Sequence, residues 1–301
     1  MRNANRTRRH GNVISRRDVL TTAAAVVGVS PIMSLSQNTF SHISRAVKQG
    51  NIRQSICGGC LRKTTLSLEE KAVLAVRLGL KGMDLVNRKD WDLLKKHNLV
   101  ATMVSGGGSI RKGLNNKTMH AKFLSDFQKN IKAAADYKWP NVIAMAGDRK
   151  GIGDEEGMDN CHTVLKEAVK IAEEYEVTIC MELLNSKVNH PGYMCDNTKW
   201  GFELCRRVGS PRFKMLYDIY HMQIMEGDLI ATITKNIDMI GHFHTAGVPG
   251  RHELGDTQEI YYPAVMRAIV KTGYTGYVAH EYSPVHDPIP SLVQAIKACD
   301  V

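Results

Sequence analysis

Four short apolar runs, each stopping on a side chain able to bind a metal, constrain this chain more than any other feature. Thr178–Met181 ends on Glu182, Phe213–Tyr217 on Asp218, Ile240–Phe243 on His244 and Tyr277–Ala279 on Glu281. A run of strand length that stops at a carboxylate or imidazole fits a barrel strand delivering a side chain to a shared mouth. An acid paired with a lysine would account for any one of these endings. The four together point to a single divalent-metal site.

The rest of the chain alternates strand-like and helix-like segments around these runs. Strands are expected at 53–56, 82–86, 99–104 and 141–145, then at 177–181, 213–217, 240–243 and 277–279. Helical patterns fall between them, over 68–78, 91–97, 117–137, 158–175, 198–208, 229–236 and 262–271, with a last one over 289–298. Ser67 with Glu70 three residues on is a capping box for the first helix. Eight strands each followed by a helix is the count of an α/β (β/α)8 barrel, and 301 residues suit it. We read a single barrel domain over 37–301. An open doubly wound sheet would want G-x-G-x-x-G after an early strand, and the glycines of Ser105–Ser109 lack that spacing. They are expected instead to let the third strand-to-helix loop approach the site closely.

Residues 1–36 read as a separate leader. Arg2, Arg6, Arg8, Arg9, Arg16 and Arg17 stand there against one acid, Asp18, and a short apolar run follows. That order is the pattern of an export signal. SRRDVL at Ser15–Leu20 resembles the twin-arginine type, which carries folded proteins across the membrane, so the periplasm or beyond is the expected destination. Ser34 and Ser36 offer small residues for cleavage. The leader accounts for half of the formal net charge of +10. The remainder is spread thinly, without the basic cluster of a nucleic-acid footprint. Seven cysteines at irregular spacings are not a disulfide framework. Cys57-x-x-Cys60 could be a redox pair, or simply two thiols at a strand end.

Strand ends converge on one face of a barrel, so Glu182, Asp218, His244 and Glu281 can reach a common point despite their wide spacing. Three carboxylates and one imidazole suit Mn²⁺ or Mg²⁺, with Co²⁺ or Zn²⁺ also compatible, and disfavour a thiolate metal. A hydroxy-carbonyl compound offers such a cation two neighbouring oxygens. The two glutamates, on different strands, can then take up and return a proton from different sides.

Several blocks resemble the xylose isomerase-like barrel superfamily of sugar isomerases and epimerases, within it most of all the hydroxypyruvate isomerases. They are MELLN at Met181–Asn185, YDIYHMQIMEGD at Tyr217–Asp228, PGRHE at Pro249–Glu253 and GYTGYVAHEY at Gly273–Tyr282. The likeness spans roughly residues 50–300. It implies a metal-dependent isomerase that converts hydroxypyruvate to tartronate semialdehyde through an enediolate. It places metal ligands on Glu182, Asp218, His244 and Glu281, and acid and base roles on Glu182 and Glu281. Substrate contacts fall on His221 and Arg251, and Asn185 is a further candidate. The seventh strand departs from the pattern. Hydroxypyruvate isomerases typically place glutamine where His244 stands, whereas ketose 3-epimerases place histidine, so a ketose 3-epimerase is the alternative. A non-catalytic sugar-binding relative and a metallo-nuclease of the endonuclease IV type are further readings. The nuclease would need more ligands and a basic groove than this chain shows. Expected partners are a small hydroxy-carbonyl or sugar substrate and, for the precursor, the twin-arginine export machinery. Neither nucleic acid nor a stable membrane span is expected, and a homo-oligomer is left open.

Overall fold

The strands anticipated at the apolar runs are buried along nearly their whole length. A parallel sheet requires this when helices cover one face and side chains fill the other. The computed structural model describes residues 40 and 42–301, and the leader over 1–36 lies outside the described residues. Nine strands occur among them. They are β1 (Arg53–Cys57), β2 (Gly82–Asp84), β3 (Val100–Ala101), β4 (Val104–Gly107), β5 (Asn141–Ala144), β6 (Thr178–Glu182), β7 (Phe213–Asp218), β8 (Ile240–Thr245) and β9 (Tyr277–His280). All pair in parallel, in the order β3-β2-β1-β9-β8-β7-β6-β5-β4. The two edge strands, β3 and β4, are successive pieces of one stretch, so eight staves make a nearly closed (β/α)8 barrel. Phe40–Val301 is one compact unit.

The third stave was expected as one strand and is broken at Thr102 and Met103. Backbone bonds to the β2 stretch continue there, from Thr102 N to the Met83 carbonyl at 3.3 Å and from Leu85 N to the Met103 carbonyl at 2.8 Å, and side chains add to them. The Thr102 hydroxyl bonds to Asp84, and its carbonyl accepts from Asn141 Nδ2 at 2.9 Å. The glycines that follow serve packing within the wall. A Cβ on Gly106 would fall 2.1 Å from the Ile143 carbonyl oxygen of β5, and one on Gly107 would fall 2.6 Å from the Phe127 ring. Their close approach is therefore to β5 and a covering helix, which replaces the expectation of an approach to the site.

The helix from Leu68 to Leu78 starts as its sequence indicates. The Ser67 hydroxyl accepts from Glu70 N at 3.2 Å, and the Glu70 carboxylate accepts from Ser67 N at 2.8 Å. A helix over Ile219–Met225, directly after β7, was not expected. Its cap is Asp218 itself, whose carboxylate accepts from His221 N at 3.2 Å. The last residue of the strand thus opens the next helix, and the cap geometry brings His221 beside Asp218. Among the described residues, no helix is long and apolar enough to cross a membrane.

A β-bulge fixes the register that matters most. Met215 of β7 pairs with Ile240 of β8, but Leu216 already pairs with His242, so β8 carries one extra residue at Gly241. Were Gly241 paired in regular register with Leu216, Asp218 would stand level with Phe243. With Gly241 bulged out, Asp218 pairs with His244. Bulges beside active sites commonly re-aim a side chain in this way. Gly241 is the residue that fits, because a Cβ there would lie 2.7 Å from Cys180 Sγ.

Candidate metal centre

Two buried tyrosines pin the backbone just beyond the strand ends. Tyr193 donates its hydroxyl to the Glu182 carbonyl at 3.0 Å and accepts from Ala146 N at 3.0 Å. Tyr262 does the same after β8, donating to the Ala246 carbonyl at 2.7 Å and accepting from Ala246 N at 3.0 Å. The ladder continues one residue past β9, where Glu281 N donates to the Thr245 carbonyl at 2.9 Å. These bonds hold four strand-end side chains at one level of the barrel mouth.

Glu182, Asp218, His244 and Glu281 come together there. One ligand atom from each lies within 4.8 Å of those of the other three. The first three are buried, while the Glu281 side chain is 27% exposed and faces the opening. His244 Nδ1 stands 2.7 Å from Glu281 Oε2 and 3.3 Å from Glu182 Oε1, yet is aligned for a hydrogen bond with neither. Arg251 closes the ring, its Nη2 donating to Asp218 Oδ2 at 3.1 Å and to Glu281 Oε2 at 2.8 Å. Its backbone is left-handed at φ +59°, a strained setting for a side chain that size. Its Nε is buried without a partner.

The electrostatics separate the carboxylates. Burial pushes Glu182 and Asp218 up from the ordinary range, and the neighbouring His244 and Arg251 offset only part of that for Asp218. Glu281 feels burial too, but the His244 and Arg251 charges win and hold it at about 2. Burial alone would lower the His244 pKa, and the carboxylates of Glu281, Asp84 and Glu182 raise it well above the ordinary value instead. The cluster is short of positive charge, and the donor set fits a divalent cation. It offers three carboxylates and His244 Nδ1, whose proton a cation would displace, with Arg251 as a fixed cation beside them. Cys57 Sγ also comes within reach of His244 and Glu281. Burial, then the charges of Glu281 and Asp84, push that thiol up, so it stays protonated and oxygen ligands dominate. All seven cysteines are free, and Cys60 Sγ accepts from Tyr282 N at 3.4 Å.

The substrate-contact candidates divide. His221 is buried, with Nδ1 accepting from Asn185 N at 3.1 Å, so the ring hydrogen sits on Nε2. That Nε2 lies 3.6 Å from Asp218 Oδ2 and has no hydrogen-bond partner. Burial, then the Arg251 charge, keeps the ring neutral by pushing its pKa well down. His221 is therefore a neutral donor aimed at the site. Asn185, expected to touch substrate, is fully buried and already committed. Its Oδ1 accepts from Val188 N and Asn189 N, and its Nδ2 reaches Asn189 Oδ1 and His221 Nδ1. It stands behind His221, with its amide bonded within the loop and to that ring.

Two buried residues complete the centre and were not singled out in the sequence. Asp84, at the end of β2, accepts from His242 Nε2 at 2.7 Å and His244 Nε2 at 3.1 Å. The signal was present: β2 stops at a carboxylate as β6 and β7 do, but the strand expected over 82–86 runs past it.

The family model described as "Xylose isomerase-like TIM barrel" matches residues 77–299. Hydroxypyruvate isomerase of Escherichia coli (strain K12) is 37% identical over 129 residues, which cover 42% of this chain and 50% of the relative. The 2-oxo-tetronate isomerase of Cupriavidus necator is 38% identical over 108 residues, 36% of this chain and 41% of the relative. The crystal structure of an AP endonuclease, family 2, from Brucella melitensis superposes with a TM-score of 0.74 at 24% identity. It covers 80% of this chain and 96% of the other, a likeness of fold.

Proposed function

We propose, for a chain that belongs to the xylose isomerase-like TIM-barrel family, a divalent-metal-dependent isomerase acting on a small hydroxy-carbonyl compound, most like hydroxypyruvate isomerase. The observation that carries this reading is the meeting of Glu182, Asp218, His244 and Glu281 within 4.8 Å from four different strand ends. The relatives from E. coli and C. necator are isomerases by name, which supports the reaction class.

Those four side chains would hold the cation. When bound, it supplies Lewis-acid stabilisation of the charge that grows on the substrate oxygens as a C–H proton leaves, several kcal/mol in general. The chain's residues do the rest. Glu281, held ionised by His244 and Arg251, is equipped to take the proton, and Glu182, pushed up by burial, to hold one. His221 donates Nε2–H to a substrate oxygen and, being neutral, leaves the proton transfer to the glutamates. Arg251 offers its unpaired Nε–H to a carboxylate or hydroxyl of the substrate. Histidine at 244 keeps a ketose 3-epimerase as the second reading, since the resemblance places histidine there in those enzymes.

Purified protein is expected to carry one divalent ion per chain, to lose activity to a chelator and to recover best with Mn²⁺, Mg²⁺ or Co²⁺. Full activity in metal-free protein would overturn the proposal, and turnover of hydroxypyruvate beside a set of free ketoses would decide the substrate. Export remains a proposal from Ser15–Leu20, which lies outside the described residues. Changing Arg16 and Arg17 together to lysine should leave the protein in the cytoplasm, and unaltered export of that variant would refute it.

A further inference from the structure

We propose that Asp84 is a positioning residue for the metal centre, deciding which ring nitrogen of His244 faces the ligand cluster. The inference rests on the reading of Glu182, Asp218, His244 and Glu281 as a metal site, and it concerns a residue outside that set. Asp84 is buried at the end of β2, and its carboxylate reaches across the barrel interior. Oδ1 accepts from the Ser55 hydroxyl at 3.0 Å and from the Thr102 hydroxyl, and Oδ2 from Nε2 of both His242 and His244. An ionised carboxylate only accepts, so both imidazoles must carry their hydrogen on Nε2.

The consequence falls on Nδ1 of His244. With a ring hydrogen held on Nε2, Nδ1 is the nitrogen left for a cation to take, and it faces Glu281 Oε2 and Glu182 Oε1, 2.7 and 3.3 Å away. Take the Asp84 acceptor away and the hydrogen can move to Nδ1, where those same carboxylates would accept it. A hydrogen there occupies the position a cation needs. A carboxylate that holds a ligating histidine in this way typically contributes 10–100-fold in metal affinity. Asp84, His242 and His244 also lie close enough together to suggest a second ion site. All four acceptor positions of Asp84 are filled by hydrogen bonds, so the group is a relay and not an open ligand set.

The test compares Mn²⁺ dissociation constants of full-length wild type, Asp84→Ala and Asp84→Asn by titration calorimetry, with thermal melting to confirm folding. Asp84→Ala should bind Mn²⁺ about 10–100-fold more weakly. Asp84→Asn keeps a carbonyl that can face both imidazoles and should recover much of the loss, which a purely structural role would not produce. A ¹⁵N-histidine spectrum of Zn²⁺-loaded wild type should show His244 bound through Nδ1 with hydrogen on Nε2, and this needs no variant to fold. Equal affinity in folded Asp84→Ala, or Zn²⁺ bound through Nε2, would overturn the Asp84 assignment and leave the metal site standing. Wild type that binds neither ion would overturn the metal reading itself.

Discussion

Glu182→Gln and Glu281→Gln are each expected to be nearly inactive even at saturating metal. General acid–base groups typically contribute about 10²–10⁴-fold. On the proposed reading each glutamate would also offer an oxygen to the cation, so losses should reach the upper end of that range or exceed it. Glutamine keeps the shape and one oxygen, so the barrel should fold and melt much as the parent does. The double variant should be little worse than either single one, because two residues on one proton path act as a unit. Steady-state rates of the three variants with added Mn²⁺ check this. Activity within about tenfold of the parent in either single variant would remove that glutamate from the proton path.

Asp218→Asn should act on the metal rather than the fold. Asn caps a helix about as well as Asp, so the helix over Ile219–Met225 should survive the change. The cluster, however, loses a buried charge that Arg251 meets and that a cation would meet. Loss of a direct ligand is expected to exceed the roughly 10–100-fold that supporting contacts contribute. Metal content after dialysis, measured beside the parent, would show it. Full occupancy in Asp218→Asn would mean that the ligand set has been misassigned.

Much of this was legible in the sequence because strand ends in a barrel share one face. The apolar runs before Glu182, Asp218, His244 and Glu281 could be read one at a time, and the topology brings them to one level. Helix boundaries set by local chemistry were equally accessible. Ser67 with Glu70 marks one start, and the helix over Thr198–Val208 matches its expected span.

What escaped depends on register and on partners far apart in the chain. The extra residue at Gly241 decides that His244, and not Phe243, stands beside Asp218, and no local pattern announces a one-residue shift. Asp84 is 160 positions from His244, so its hydrogen bond exists only in the folded barrel. The partners of Asn185 were equally hidden, since only the folded loop shows its amide bonded to Val188, Asn189 and His221. The break in the third stave likewise involves distant partners, since the Thr102 hydroxyl bonds to Asp84 and its carbonyl accepts from Asn141 Nδ2.

Two glutamates at a divalent-metal site are expected to move a substrate proton through an enediolate. Turnover by the Mn²⁺-loaded enzyme in D₂O, with hydroxypyruvate and a set of free ketoses as substrates and the product read by NMR, tests it most directly. An enediolate exchanges its proton with solvent, so deuterium should appear at the product carbon next to the carbonyl, at least in part. Full turnover with no solvent deuterium, and with activity kept in Glu182→Gln or Glu281→Gln, would mean that the hydrogen passes internally as a hydride and would contradict the claim.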